Sequence, residues 1–128
     1  MTLSRFEIAY VSADRGLVDF FVEVFDLKEL DPITATPGTV YRLDAPGATI
    51  KVMVPTTTPT AAAPGDQLAT TGMRYITMFV DNLETVLERA TSRGARVQFG
   101  PKDIGDGVQM AVLRDPYGNA VEAVYVPS

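Results

Sequence analysis

Polar and apolar residues alternate along several short stretches of this chain and recur at helical spacing along two longer ones. In the first half, residues 5–11 (RFEIAYV) alternate as a β-strand does, and residues 15–27 carry apolar side chains on one helical face. That face consists of Leu17, Phe20, Phe21, Val24 and Phe25. Residues 39–43 and 48–54 are predicted as strands joined by a Pro-Gly turn, and residues 30–33 give a weaker strand signal. The predicted order is βαβββ.

The second half repeats this order of elements. Residues 73–80 are predicted as a strand and residues 82–94 as a helix. Asp81 is expected to cap that helix, with Glu84 three residues later, and Gly94 is expected to end it in the left-handed conformation. The remaining predictions are strands at residues 95–99, 108–114 and 120–126 and a turn at residues 115–119.

The stretch between the halves, residues 55–72 (PTTTPTAAAPGDQLATTG), has no periodic apolar pattern. It is predicted to be a linker between a first module, residues 1–54, and a second, residues 73–128. Residues 44–51 and 115–122 each run from a turn Asp to a charged residue, with a Gly in the same place. We therefore predict an internal repeat, with two coincidentally similar hairpins as the alternative.

Composition excludes several chemistries. The 128 residues include no His and no Cys, so a Cys/His zinc site, a thiol nucleophile, a disulfide framework and a Ser-His-Asp triad are impossible. A net charge of -5 makes nucleic acid and anionic membranes poor partners. No apolar stretch is long enough to span a bilayer, and we expect a cytoplasmic protein with a single domain.

Four motifs follow one another along the chain in a characteristic order. The most specific is DPYGNAVE at residues 115–122, preceded by VSAD at residues 11–14, VDNL at residues 80–83 and SRGA at residues 92–95. In order and spacing they resemble the vicinal oxygen chelate superfamily, which includes glyoxalase I, extradiol dioxygenases, fosfomycin-resistance enzymes and bleomycin-resistance proteins. The resemblance covers nearly the whole chain and is greatest to the metal-free bleomycin-resistance type.

The resemblance implies an α+β fold with two βαβββ modules in tandem. Their curved mixed sheet would surround a cavity, with the helices on the outer face. It also implies a homodimer, and the long linker permits modules that are swapped between subunits. In the metal-dependent members, four equivalent strand positions, commonly His, Glu or Gln, hold a divalent ion.

The same resemblance and the internal repeat assign four residues of this chain to those positions. Glu122 stands at the fourth position, Lys51 at the second and Tyr75 at the third. The first is Glu7 if strand alternation decides and Phe6 if the spacing back from the helix decides. Both frames stay open.

An ammonium group among metal ligands is a competing positive charge, so we predict no metal and no cofactor. Two carboxylates, Glu7 and Glu122, could still hold Mg²⁺ or Mn²⁺ weakly. We expect Lys51 to neutralise Glu122, and Glu7 as a second partner, because a buried unpaired charge is costly. The alternative is that Lys51 extends its charge to the cavity mouth.

Alternation along the strands predicts which side chains line the cavity. The predicted residues are Thr39, Tyr41 and Met53 on the face of Lys51, Met110, Val112 and Val124 on the face of Glu122, and Tyr75, Thr77 and Phe79 on the first strand of the second module. Rings stack on planar molecules, so Tyr41, Tyr75 and Phe79 are the better ligand candidates. For the aliphatic and Met residues, ordinary core packing is the alternative.

Three functions are consistent with this pattern. The first is a metal-free binding protein that sequesters a bulky, partly aromatic compound and so confers antibiotic or natural-product resistance. The second is a lyase, isomerase or cyclase that uses Glu122 or Glu7 as a general base and Lys51 or Tyr75 as a proton donor. The third is a structural or regulatory module without a small-molecule ligand.

Overall fold

The computed structural model describes residues 2–62 and 67–128, and the chain divides into two compact units, Met1–Ala61 and Ala62–Ser128. Part of the predicted linker, residues 63–66, lies outside the described residues. The first unit contains β1 (Glu7–Val11), α1 (Gly16–Phe25), β2 (Lys28–Ala35), β3 (Gly38–Ala45) and β4 (Ala48–Pro55). The second contains β5 (Tyr75–Phe79), α2 (Leu83–Ser92), β6 (Arg96–Asp103), β7 (Gln109–Arg114) and β8 (Ala120–Tyr125). The predicted βαβββ order of both modules is confirmed.

Each unit forms one four-stranded mixed sheet. The strand order is β1-β4-β3-β2 in the first unit and β5-β8-β7-β6 in the second. The first strand pairs in parallel with the last, and the other neighbours are antiparallel hairpins. The last strand of each unit therefore lies between the first strand and the third strand. The residues of this last strand, which follows the closing turn, are thus near the middle of the sheet. No helix in the described residues has the length and apolar character needed to cross a membrane.

The core of the first unit is built from the apolar face of α1. Its five fully buried residues are Leu17, Val18, Phe20, Phe21 and Val24. The Phe21 ring lies 5.6 Å from the ring of Tyr10 in β1, so α1 covers the face of the sheet that bears Tyr10. Leu43, Ile50 and Val52 are buried on that same face. Aromatic and branched side chains thus fill this core.

The core of the second unit uses smaller residues. From α2, the side chains of Leu83, Val86 and Ala90 are buried. The sheet contributes Ala111, Leu113, Val121 and Ala123, none of which has exposed surface. Two of these four sheet residues are Ala, so this core lacks the aromatic side chains that fill the first.

The predicted N-cap of α2 is wrong by one residue. The backbone N–H of Thr85 donates to the side-chain oxygen of Asn82 at 3.0 Å, so Asn82 and not Asp81 is the N-cap. An N-cap accepts from the residue two or three positions later, and Asn82 fulfils this at the observed helix start. Gly94 has a φ of 90° and ends the helix as expected.

Two strands are longer than the sequence pattern indicates. β2 occupies eight residues where the alternation gave a weak signal over four, and β6 continues to Asp103 past the predicted end at Phe99. Both are edge strands with register shifts, at residues 30–33 in β2 and at residues 97–102 in β6. A β-bulge interrupts the alternation of side chains between the two faces, so the sequence pattern alone does not reveal the full length of such strands.

The cap assignment leads to a stability prediction. Replacing Asn82 by Ala removes the acceptor for the Thr85 N–H and should lower the free energy of unfolding by about 1 kcal/mol. Asp81→Ala is the matched control and should change it by no more than about 0.5 kcal/mol. Urea unfolding followed by circular dichroism measures both. A larger loss in the Asp81 variant would contradict the assignment.

Candidate functional site

Each sheet has one face covered by its helix and one face that is not, called here the helix-free face. In the first unit it bears Glu7, Ala9 and Val11 of β1, Thr49, Lys51 and Met53 of β4, and Val40, Arg42 and Asp44 of β3. In the second unit it bears Tyr75, Thr77 and Phe79 of β5, Ala120, Glu122 and Val124 of β8, and Met110, Val112 and Arg114 of β7. Residues paired across neighbouring strands share a face, which fixes these sets.

The helix-free face of the first unit changes character along its strands. At one end lies an apolar row that crosses all four strands and consists of Val11, Met53, Val40 and Ile33. The next row contains Lys51 and Arg42, which face each other across the β3–β4 pair. Two guanidinium nitrogens of Arg42, Nε and Nη2, donate to the carbonyl oxygen of Asp31 at 3.0 and 2.9 Å. Charge is therefore concentrated towards one end of this face.

Tyr41 and Thr39 lie on the opposite face from the one predicted. Tyr41 pairs with Val52 and Thr39 with Val54, so both belong to the helix-covered face and do not share the face of Lys51. The Arg15 guanidinium lies 5.0 Å above the Tyr41 ring. Arg15 is held in turn by Glu29 at 2.8 Å, which fixes it over that ring. Tyr41 is therefore a packing residue near the start of α1.

Turn length explains this error. In the first unit only Pro46 and Gly47 separate the last paired residues, Ala45 and Ala48. In the second unit five residues separate Arg114 from Ala120. The alignment that equates Lys51 with Glu122 also equates Tyr41 with Val112, the observed partner of Glu122. The two turns differ by an odd number of residues. β3 is therefore offset by one residue from the position that the repeat predicts, and each β3 side chain lies on the opposite face.

Glu7 lies on the helix-free face and forms an ion pair with Lys51. The Lys51 ammonium is 3.5 Å from the Glu7 carboxylate, and Arg5 approaches the other carboxylate oxygen at 3.3 Å. Phe6 precedes β1 and is half exposed. Of the two frames, the structure places Glu7 beside Lys51. The expected pairing of Lys51 with Glu122 stays a prediction.

Glu122 is at the centre of the helix-free face of the second unit. It pairs with Thr77 on one side and Val112 on the other, and the Thr77 hydroxyl donates to its carboxylate at 3.2 Å. Val112 and Val124 beside it are buried. Tyr75 and Phe79 flank Thr77 on β5 and expose 46% and 73% of their surface. The predicted facial placement of these residues agrees with the register.

Phe99 also lies on this face, although strand alternation did not predict it. Phe99 pairs with Val112 and so continues the row of Thr77 and Glu122 onto β6, with 43% of its surface exposed. The shift of register at Gln98 hides it, because simple alternation from Val97 gives no reliable face after a bulge. Only the pairing with β7 reveals its position.

Arg114 is a buried cation at the end of the same face. Its Nε donates to the Gln98 side chain at 2.6 Å, and Nη1 donates to the Gly118 carbonyl at 2.8 Å. The Gln67 side-chain oxygen accepts from Gln98 at 2.7 Å and from Arg114 at 3.4 Å. These bonds tie the end of β7, the closing turn and the segment before β5 together.

The carboxylate of Asp115 organises the turn between β7 and β8. It accepts from the backbone N–H groups of Tyr117 and Asn119 at 2.8 and 3.0 Å and from the Asn119 side chain at 2.9 Å. Burial raises the pKa of Asp115 above its ordinary value of 3.8, and these hydrogen bonds oppose the increase. The turn fixes the register that places Glu122 opposite Val112.

A family model decides the relationship of the chain to known proteins. The Glyoxalase/Bleomycin resistance protein/Dioxygenase superfamily model matches residues 6–123. The chain belongs to this superfamily. No curated protein matches it significantly.

Solved structures of the superfamily share the fold at low sequence identity. A glyoxalase family protein from Bacillus cereus has a TM-score of 0.81 and 14% identity over 98% of this chain and 95% of that one. TioX from Micromonospora has a TM-score of 0.66 and 23% identity over 97% and 98%. A superfamily enzyme from Burkholderia phytofirmans has 0.66 and 18% over 94% and 97%. These similarities establish the fold and leave the activity open.

The superfamily implies a divalent ion in some members, and the residues of this chain do not fit one. At the implied positions Lys51 is itself a cation, and Glu7 is already engaged by Lys51 and Arg5. Among residues 2–62 and 67–128, no three Asp or Glu side chains lie close enough to bind one ion together. Divalent ions need converging unprotonated donors, which this set does not supply.

The environment of Asp115 leads to a pH prediction. Because its folded pKa is raised, Asp115 contributes most stability below pH 3.8, and this contribution is lost as the pH rises through the folded pKa. Asp115→Asn cannot ionise, so the unfolding free energy of the wild type minus that of the variant should decrease over this range. Urea unfolding at a series of pH values measures the difference. An increase with pH would show that the hydrogen bonds outweigh burial.

Proposed function

We propose that this superfamily member binds a bulky, partly aromatic small molecule without a metal ion, and that it acts by sequestering that compound, as in antibiotic or natural-product resistance. The helix-free face of the second unit is the proposed binding surface. The observation that carries the proposal is the pair of exposed rings, Tyr75 and Phe79, on either side of the polar Thr77–Glu122 contact.

Exposed rings on a central functional face favour ligand binding over packing. Tyr75 and Phe79 lie four residues apart on one strand, with about 13 Å between their backbone positions, so a compound that contacts both rings must be bulky. When a planar molecule covers an exposed aromatic ring, apolar surface is removed from water and binding is stabilised. Stacking of the rings stabilises the complex by about 0.5–1.5 kcal/mol more. Buried Val112 and Val124 provide the apolar floor next to them.

The first unit supplies a second apolar surface of simpler composition. Met53 lies between Val11 and Val40, and Val11 exposes 63% of its surface. Met adapts its shape to irregular partners, which suits a lining position. Tyr41 makes no part of this proposal because its ring packs under Arg15.

A second candidate function, general-base catalysis, rests on Glu122. Its carboxylate is half-buried and accepts a hydrogen bond from the neutral hydroxyl of Thr77. Such a carboxylate can take a proton from a bound substrate and support a lyase, isomerase or cyclase reaction. Mass spectrometry of a compound recovered after binding separates the two candidates. Conversion that Glu122→Gln abolishes would support the enzyme, and recovery of unchanged compound supports sequestration.

The proposed surface makes a binding prediction. With acridine as the probe, Tyr75→Ala and Phe79→Ala should each weaken binding about tenfold, because each removes a stacking partner. Tyr117→Ala is the control, since this ring is similarly exposed but belongs to the closing turn. Fluorescence titration measures all affinities. Equal affinities across the variants would place the binding surface elsewhere.

The donor chemistry makes a metal prediction. The purified protein should carry less than one equivalent of any divalent ion, and chelator should leave acridine affinity and melting temperature unchanged. Elemental analysis and thermal unfolding with and without chelator measure these quantities. A stoichiometric ion whose removal lowers the melting temperature would overturn the metal-free proposal.

A further inference from the structure

We infer that the compound bound on the helix-free face of the second unit is cationic, and that its protonated amine contacts the carboxylate of Glu122. This inference rests on the proposed function and adds the charge of the ligand to it. It follows from the electrostatic surroundings of Glu122 and from the rings around it.

Glu122 has a hydrogen-bond donor but no counter-charge within the described part of its unit. Thr77 donates to it at 3.2 Å, and no Lys or Arg of residues 67–128 forms an ion pair with it. Glu7, a carboxylate on the helix-free face of the first unit, has two cationic partners, Lys51 and Arg5. A half-buried carboxylate without a nearby cation has lost part of its hydration, and no ion pair compensates for that loss.

Two basic groups of this face, Arg114 and Lys102, are directed to other partners, and a third, Arg96, lies opposite Arg114 on β6, two strands away from β8. Arg114 donates to the Gln98 side chain and the Gly118 carbonyl. The Lys102 ammonium lies 6.0 Å from the centre of the Phe99 ring. The face therefore presents Glu122 as an available negative charge.

The rings around Glu122 favour a positive charge as well. Tyr75 and Phe79 flank its partner Thr77 on the neighbouring strand β5. The face of an aromatic ring attracts cations. The carboxylate and the rings thus both favour a positively charged ligand. The net charge of -5 also attracts cations at long range.

Three acridine compounds of similar shape and different charge test this inference. At mildly alkaline pH proflavine is cationic, acridine is neutral and acridine-9-carboxylate is anionic, and the fluorescence of each reports its binding. We expect proflavine to bind about three- to tenfold more tightly than acridine, and the carboxylate to bind most weakly. Added salt should weaken proflavine binding and leave acridine binding nearly unchanged.

Glu122→Gln is the decisive variant because it removes the charge and keeps the shape. It should reduce proflavine affinity about three- to tenfold to the level of acridine, with acridine affinity unchanged. Glu88→Gln is the matched control, since it changes net charge equally from an exposed position on α2, and proflavine should keep its preference. Wild-type titrations with the three probes give the answer even if the Glu122 variant does not fold.

The outcomes separate the inference from the proposed function. Equal binding of proflavine and acridine by the wild type, or a preference that survives Glu122→Gln, would overturn the inference and leave aromatic binding intact. Failure of all three probes to bind would overturn both.

Discussion

In each unit a single helix covers one face of a four-stranded sheet, and this asymmetry governs the rest of the structure. Because side chains along a strand point alternately to the two faces of the sheet, the helix buries every second residue in the core. The other residues lie on the helix-free face. Leu113, Val121 and Ala123 are fully buried under α2, while Val112, Glu122 and Val124 belong to the other face. A one-residue change of register therefore exchanges core residues for surface residues.

The sequence was sufficient to predict the fold and the strand faces around Glu122, and insufficient for the N-cap of α2, for Phe99 and for β3. The DPYGNAVE motif marks the turn between β7 and β8, so the placement of Met110 and Val112 followed from alternation along β7, and that of Thr77 from alternation along β5. Tyr41 was misplaced because turn length, which the repeat alone does not reveal, sets the parity of β3. The position of Phe99 was not predicted because a bulge in an edge strand cannot be recognised from the alternation of hydrophobic residues.

Charge distinguishes the two helix-free faces. The first unit compensates its carboxylate internally, through Lys51 and Arg5 on Glu7. In the described part of the second unit, Glu122 has the Thr77 hydroxyl as its partner, while Arg114 and Lys102 are engaged elsewhere. At corresponding positions of the two closing strands the first unit therefore has a cation, Lys51, and the second has a carboxylate, Glu122.

The unequal turns of the two hairpins have a consequence for how such a scaffold can diversify. A two-residue turn in one hairpin and a five-residue connection in the other preserve the backbone repeat while they break side-chain equivalence. Insertion or deletion of a single turn residue would exchange the whole set of β3 side chains between core and surface, a larger change in surface chemistry than any point substitution could make. In a duplicated fold of this kind, loop length is therefore an independent means by which one half can acquire a surface that the other half does not have.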